Sequence, residues 1–115
     1  MSDDRLYLIH IHESIERIQE YVQGGRRAFM ESRLIQDGVV RNLQTLAEST
    51  QRLSPKFKDR HPEIEWRAIA GLRNVLVHDY LGVDVARVWE IVQEQLPRLK
   101  KQLPETPEAP DPAGC

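Results

Sequence analysis

The chain has 115 residues, 40% of them hydrophobic and 30% charged, with 16 Lys and Arg against 18 Asp and Glu, which is the composition of one small soluble domain. No window approaches the roughly 18 uninterrupted apolar residues of a membrane span, and Met1-Ser2-Asp3-Asp4 is acidic where a signal peptide is basic, so a cytoplasmic location without membrane attachment is expected. The one cysteine, Cys115, is the last residue, which excludes an internal disulfide framework and a zinc ribbon.

Leu8, Ile11, Ile15, Ile18 and Val22 recur at three-four spacing and predict a first helix with one apolar stripe, stopped by Gly24-Gly25. A short turn carrying Arg26, Arg27, Phe29 and Met30 leads to Ser32, the expected N-cap of a longer helix. That helix buries Ile35, Val39, Leu43 and Leu46 and fades near Leu53, before Ser54-Pro55. His61-Pro62 restarts helical structure, with Trp66, Ile69, Leu72 (or Arg73) and Leu76 as its stripe, ending between His78 and Gly82. Asp84 is the next expected cap, and Val85, Val88, Val92, Leu96, Leu99 and Leu103 mark a last helix that Pro97 should bend by removing one backbone bond. Residues 104–115 hold four of the seven prolines and read as a disordered, extended tail, leaving 1–103 as the domain. The expected fold is all-α, a bundle of four main helices with one short extra turn.

Charge is unevenly placed. Residues 1–103 carry all 16 basic residues against 15 acidic ones, and Glu105, Glu108 and Asp111 supply the remaining acidity. A near-neutral body of this kind can still present a local basic patch. Arg26, Arg27 and Arg33, with Lys56, Lys58 and Arg60, read as solvated faces.

Chemistry concentrates in Gly71–Gly82, where an apolar helix brings Arg73, Asn74, His78, Asp79 and Tyr80 close together, a set that is costly to bury without partners. At about 100° per residue, Asn74 and His78 share a face, Arg73 and Tyr80 share a neighbouring one, and His78 lies about 140° round from Arg73. One straight helix therefore cannot aim Arg73 and His78 at the same atom unless the side chains curl inward or the helix ends at His78. An isologous dimer offers another route, because a cleft on its twofold axis collects two Arg and two His. Such a metal-free set suits phosphodiester cleavage in RNA. His78 would move the proton, Arg73 would neutralise the pentavalent transition state, and Asn74 would orient the imidazole or donate to a phosphate oxygen. The competing reading is a helix C-cap with a hydrogen-bonded surface patch.

Two further features take structural readings. His10 and His12 lie about 200° apart on a helix and cannot chelate one ion, so no metal or cofactor is expected. Trp66 and Trp89 read as core or interface anchors.

At Arg73-Asn74-Val75-Leu76-Val77-His78-Asp79-Tyr80 the sequence resembles the HEPN superfamily, specifically the HepT-like toxins, whose signature is Arg, four to six residues, His, any residue, Tyr. The resemblance extends from Asp37-Gly38-Val39-Val40-Arg41-Asn42-Leu43 through His61-Pro62-Glu63-Ile64-Glu65-Trp66 to Val83-Asp84-Val85-Ala86-Arg87-Val88-Trp89-Glu90, and covers nearly all of residues 5–103. It implies an up-and-down helical homodimer that cleaves RNA without a metal, with Arg73 and His78 catalytic at the dimer interface. It also implies the toxin half of a type VII-like toxin–antitoxin system, silenced when an MntA-like minimal nucleotidyltransferase antitoxin attaches AMP to Tyr80. Asp37 carries over as a supporting residue near the cleft, beside the alternative of a solvated Asp. Gly38 departs from the family, where Ala is more usual, and should loosen its helix by about 1 kcal/mol. A different class of function for the same fold is a non-catalytic HEPN scaffold or nucleotide-binding module that partners a nucleotidyltransferase.

Overall fold

The computed structural model describes residues 3–77 and 84–104, with residues 74–77 described by their backbone alone. The first apolar stripe winds as α1, Asp4–Tyr21, and Leu8, Ile11, Ile15 and Ile18 are at most 1% exposed. The chain leaves α1 through a bond from the Gly25 N–H to the Val22 carbonyl at 2.9 Å. Gly25 takes a φ of 90° there, a left-handed conformation that side-chain-bearing residues adopt only with strain.

The segment expected as a turn is helical: α2 runs Gly25–Glu31. Its Phe29 is buried and lies 5.3 Å from the Trp89 ring, centroid to centroid. Ser32 then caps α3, Arg33–Arg52, its Oγ accepting from the Ile35 N–H at 3.1 Å. Gln36 reaches back from α3 and donates Nε2–H to the Phe29 and Met30 carbonyls at 3.0 and 3.1 Å, at the end of α2, where the Phe29 carbonyl also accepts from the Ser32 N–H at 3.3 Å.

α3 runs antiparallel to α1. Tyr21 lies over Gly38 at one end of the pair, and the Asp4 carboxylate accepts from the Ser54 N–H and Oγ–H, both at 2.7 Å, at the other. Ser54 also caps a short helix absent from the expectation, α4, Pro55–Arg60, by accepting from the Phe57 N–H at 3.1 Å. His61 closes α4, so the next helix, α5, begins at Trp66 and runs to Val77. Of the two candidates for the stripe of α5, Leu72 is buried and Arg73 is exposed.

Asp84 caps α6, Val85–Glu90, accepting from the Arg87 N–H at 3.2 Å. The helix continues through a π-helical stretch, Ile91–Gln95, into α7, Leu96–Gln102. The Leu96 N–H bonds five residues back to the Ile91 carbonyl. This widened turn gives Pro97 the first-turn position that its missing N–H tolerates, which is the form the expected disturbance takes. α7 lies antiparallel to α1, tied by Lys100 Nζ donating to Gln19 Oε1 at 3.0 Å and by His12 Nε2 donating to the Pro104 carbonyl at 2.7 Å. Leu103 is the last core residue among those described. Residues 105–115, most of the expected tail, lie outside the described residues.

The result is the all-α up-and-down bundle, without a strand among the described residues. The buried faces of α1, α3 and α5–α7 make one core. Two positions depart from ordinary packing. Ser14 is fully buried, and its Oγ has no hydrogen-bond partner among the described residues. Gly38 admits the Tyr21 ring so closely that an added Cβ would lie 3.1 Å from Cε2 and 3.2 Å from Cδ2. Gly38 thus makes room for a ring as well as weakening helix propensity.

Two stability measurements follow. Ser14→Ala should raise the unfolding free energy by about 1 kcal/mol, because it removes a buried hydroxyl that forms no bond. Gly38→Ala should stabilise by about 1 kcal/mol in a Tyr21→Ala background and by less in the wild type. Equal effects of Gly38→Ala in the two backgrounds, by denaturant titration, would show that the ring does not oppose the methyl group.

Candidate active site

Helix α5 turns Trp66, Ile69 and Leu72 toward the rest of the bundle and carries Arg73 one position further, about 100° round, onto the exposed side. The Arg73 guanidinium donates through Nη1 to Gln51 Oε1, in the last turn of α3, at 2.9 Å. Lys58 of α4 reaches the same residue, its Nζ donating to the Gln51 backbone carbonyl at 3.5 Å, while it lies 5.9 Å from the centroid of the Trp66 ring. Trp66 is itself held by Nε1–H donation to the His61 and Lys58 carbonyls at 3.1 and 3.3 Å. Arg73 therefore stands at a corner where the end of α3, the short α4 and the middle of α5 meet.

The charge of this corner differs from that of the chain. Residues 51–73 hold six Lys and Arg against three Asp and Glu, whereas the whole chain has a formal charge of −2. Exposed Glu13, Glu16 and Glu20 on α1 contribute to the opposite sign elsewhere. The stretch from Gln51 to Arg73 thus carries a net positive charge, and Arg73 and Lys58 are the two of its cations that meet at Gln51.

The remaining site residues are placed less fully. His78 and Tyr80 lie outside the described residues, as does the side chain of Asn74. The described part of α5 ends one residue short of His78. Asp37 is exposed on α3, 14 residues before Gln51 and so about 21 Å away along the axis, and within one chain it does not meet Arg73. Gln51 was not singled out by the sequence. Its contact with Arg73 spans 22 residues, and no local spacing announces a pair so far apart.

His10 stacks edge-on to Tyr7 at 6.5 Å, and His12 is engaged by Pro104. Among the described residues no group of three His, Cys, Asp or Glu is placed to hold a metal ion, and no helix is long and apolar enough to cross a membrane.

An all-helical bundle with an exposed Arg on its fifth helix and the Arg-x4-His-x-Tyr segment running on from it defines a HEPN-type protein. The bundle matches the solved structure of a tri-AMPylated HEPN toxin from Shewanella oneidensis, in complex with MNT antitoxin, with a TM-score of 0.62 and 25% identity over 88% of this chain and 94% of that one. A Thermococcus cleftensis protein named as a candidate ribonuclease HepT is 39% identical over 95 residues, 82% of this chain and 86% of that one. A Methanocaldococcus jannaschii protein named as a gamma-glutamylcyclotransferase and candidate RNase is 35% identical over 102 residues, 88% of this chain but 46% of its own length. The chain thus spans about half of that relative. The family model described as Ribonuclease HepT-like matches residues 11–106, and the chain belongs to the HepT-like family.

Proposed function

We propose that this chain is the toxin of a toxin–antitoxin pair, a metal-independent endoribonuclease whose sites form across a homodimer from Arg73 and His78. The observation that carries this reading is the exposed Arg73 guanidinium, presented at a basic corner by a helix that leads directly into His78. A neutral His78 imidazole takes the proton of a ribose 2′-hydroxyl, and the 2′-oxygen attacks the adjacent phosphorus. The bond from phosphorus to the 5′-oxygen breaks, and the leaving oxygen receives a proton. The products are a 2′,3′-cyclic phosphate and a 5′-hydroxyl. Arg73 supplies two parallel donors to the phosphate oxygens as charge accumulates on them, and Asn74 orients the imidazole. Asp37 belongs in this scheme only if the twofold axis brings it to the cleft from the other protomer, since its own chain holds it away from Arg73.

The solved HEPN toxin is tri-AMPylated and bound to MNT antitoxin, which supports a parallel regulation here. A nucleotidyltransferase partner would attach AMP to Tyr80, seven residues after Arg73 in the sequence. The added phosphate would compete for the guanidinium that otherwise receives the scissile phosphate, and the nucleoside would occupy the path of the RNA.

Two experiments test this. Arg73→Ala and His78→Ala should each lower RNA cleavage in excess chelator by about 10²-fold or more with helicity retained. Mixing the two inactive variants under conditions of subunit exchange should restore about a quarter of wild-type activity, because half of the dimers are mixed and each carries one intact site in trans. A mixture that stays inactive would place the site within one chain, and wild-type cleavage that needs added magnesium would overturn the mechanism. Co-expression with a nucleotidyltransferase encoded beside the gene should add AMP to the peptide containing Tyr80, by mass spectrometry, and Tyr80→Phe should keep its nuclease activity. Modification at another residue, or unchanged cleavage by the modified protein, would overturn the regulatory scheme.

A further inference from the structure

Two cations converge on one neutral residue at the α3–α4–α5 corner. Gln51 accepts from Arg73 through its side chain at 2.9 Å and from Lys58 through its backbone at 3.5 Å. Neither cation is neutralised by that acceptor, and among the described residues no carboxylate forms an ion pair with either. The two bonds differ in kind. The one to Arg73 is short and uses one of the five N–H donors of the guanidinium, so the group is held without consuming its bidentate edge. The one to Lys58 lies at the outer limit of a hydrogen bond, weak enough to be exchanged for a stronger acceptor. Contact with the Trp66 ring keeps the ammonium near the corner in either case.

We propose that Gln51 is a positioning residue for Arg73 and that Lys58 binds an adjoining phosphate, so that the corner holds two neighbouring phosphates of a single RNA strand, the scissile one on Arg73 and a flanking one on Lys58. The inference rests on the nuclease reading for the role of Arg73. It adds a residue that aims the arginine and one that sets affinity for the strand. The local excess of basic residues between positions 51 and 73 favours a polyanionic strand as the ligand.

Binding to a non-cleavable 2′-O-methyl oligonucleotide, measured over a range of salt, and cleavage of the matching RNA separate these roles. Lys58→Gln should weaken binding about tenfold and reduce the slope of log affinity against log salt by about 0.7. Gln51→Glu places a carboxylate against Arg73, which ties up the guanidinium and repels the phosphate, and kcat should fall at least about tenfold. Gln51→Asn should lie between Gln51→Glu and the wild type. Circular dichroism and thermal melts of each variant identify any that has lost its fold. Unchanged salt slope in Lys58→Gln, or wild-type kcat in Gln51→Glu, would overturn the proposal. A wild-type protein that binds the strand but cleaves no RNA would overturn the nuclease reading instead, while the Lys58→Gln slope still decides the phosphate site.

Discussion

The antiparallel seam between α1 and α3 is the constraint on which the rest of the molecule depends. Leu8, Ile11, Ile15 and Ile18 face Val39, Leu43, Leu46 and Ala47, and all eight are buried. Each large side chain contributes about 1.5–3 kcal/mol by leaving water, so the register of these two helices is not easily altered. Both ends are also fastened, by Asp4 on Ser54 and by Tyr21 on Gly38. With α3 fixed in this way, its last turn becomes a platform. α4 starts from it, α5 packs along it, and Gln51 is delivered to the point where Arg73 emerges.

The short helices show how polar groups place elements that have little apolar surface of their own. α4 buries Phe57 as its single core residue, and a helix of six residues has almost no intrinsic stability. It persists because Ser54 both caps it and is gripped by Asp4 from the first turn of α1, linking positions 50 residues apart. α2 likewise depends on Gln36 closing its end. Of the side chains at the corner, Lys58 on α4 owes its position to Asp4 and Ser54, whereas Gln51 and Arg73 owe theirs to the packing of α3 and α5.

Much of this was legible in the sequence because periodicity and capping are local. Ser32 and Asp84 are N-caps as their positions before apolar stripes indicated, and the three-four stripes of the first, third and last helices lie on the core side, fully buried except at Val22, Ile35 and Val85, which are half-buried. α4 escaped because a single aromatic residue makes no stripe, although Ser54-Pro55 is itself a helix-start signal. α2 escaped because Gly24-Gly25 reads as a stop and gives no hint that the chain resumes helical winding at once. At the site, spacing gives the apolar stripe of α5 but leaves Leu72 and Arg73 as alternatives on it, and it gives no sign of Gln51. That partner is set by how α3 and α5 lie against each other, which no window of sequence contains.

The widened turn at Ile91–Gln95 has a consequence for how this fold tolerates change in chain length. A π-helical turn is an α-helical turn holding one surplus residue, and here the surplus is absorbed just before Pro97. The segments on either side, α6 against Phe29 and α7 against α1, are each anchored by their own contacts. A homologous chain lacking one residue between Ile91 and Leu96 would close the same stretch as an ordinary α-helical turn and still present α7 to α1. The stretch is thus a place where lineages of this bundle can gain or lose a single residue without rebuilding either half, and alignments of such chains should place a one-residue gap there in preference to the connecting loops.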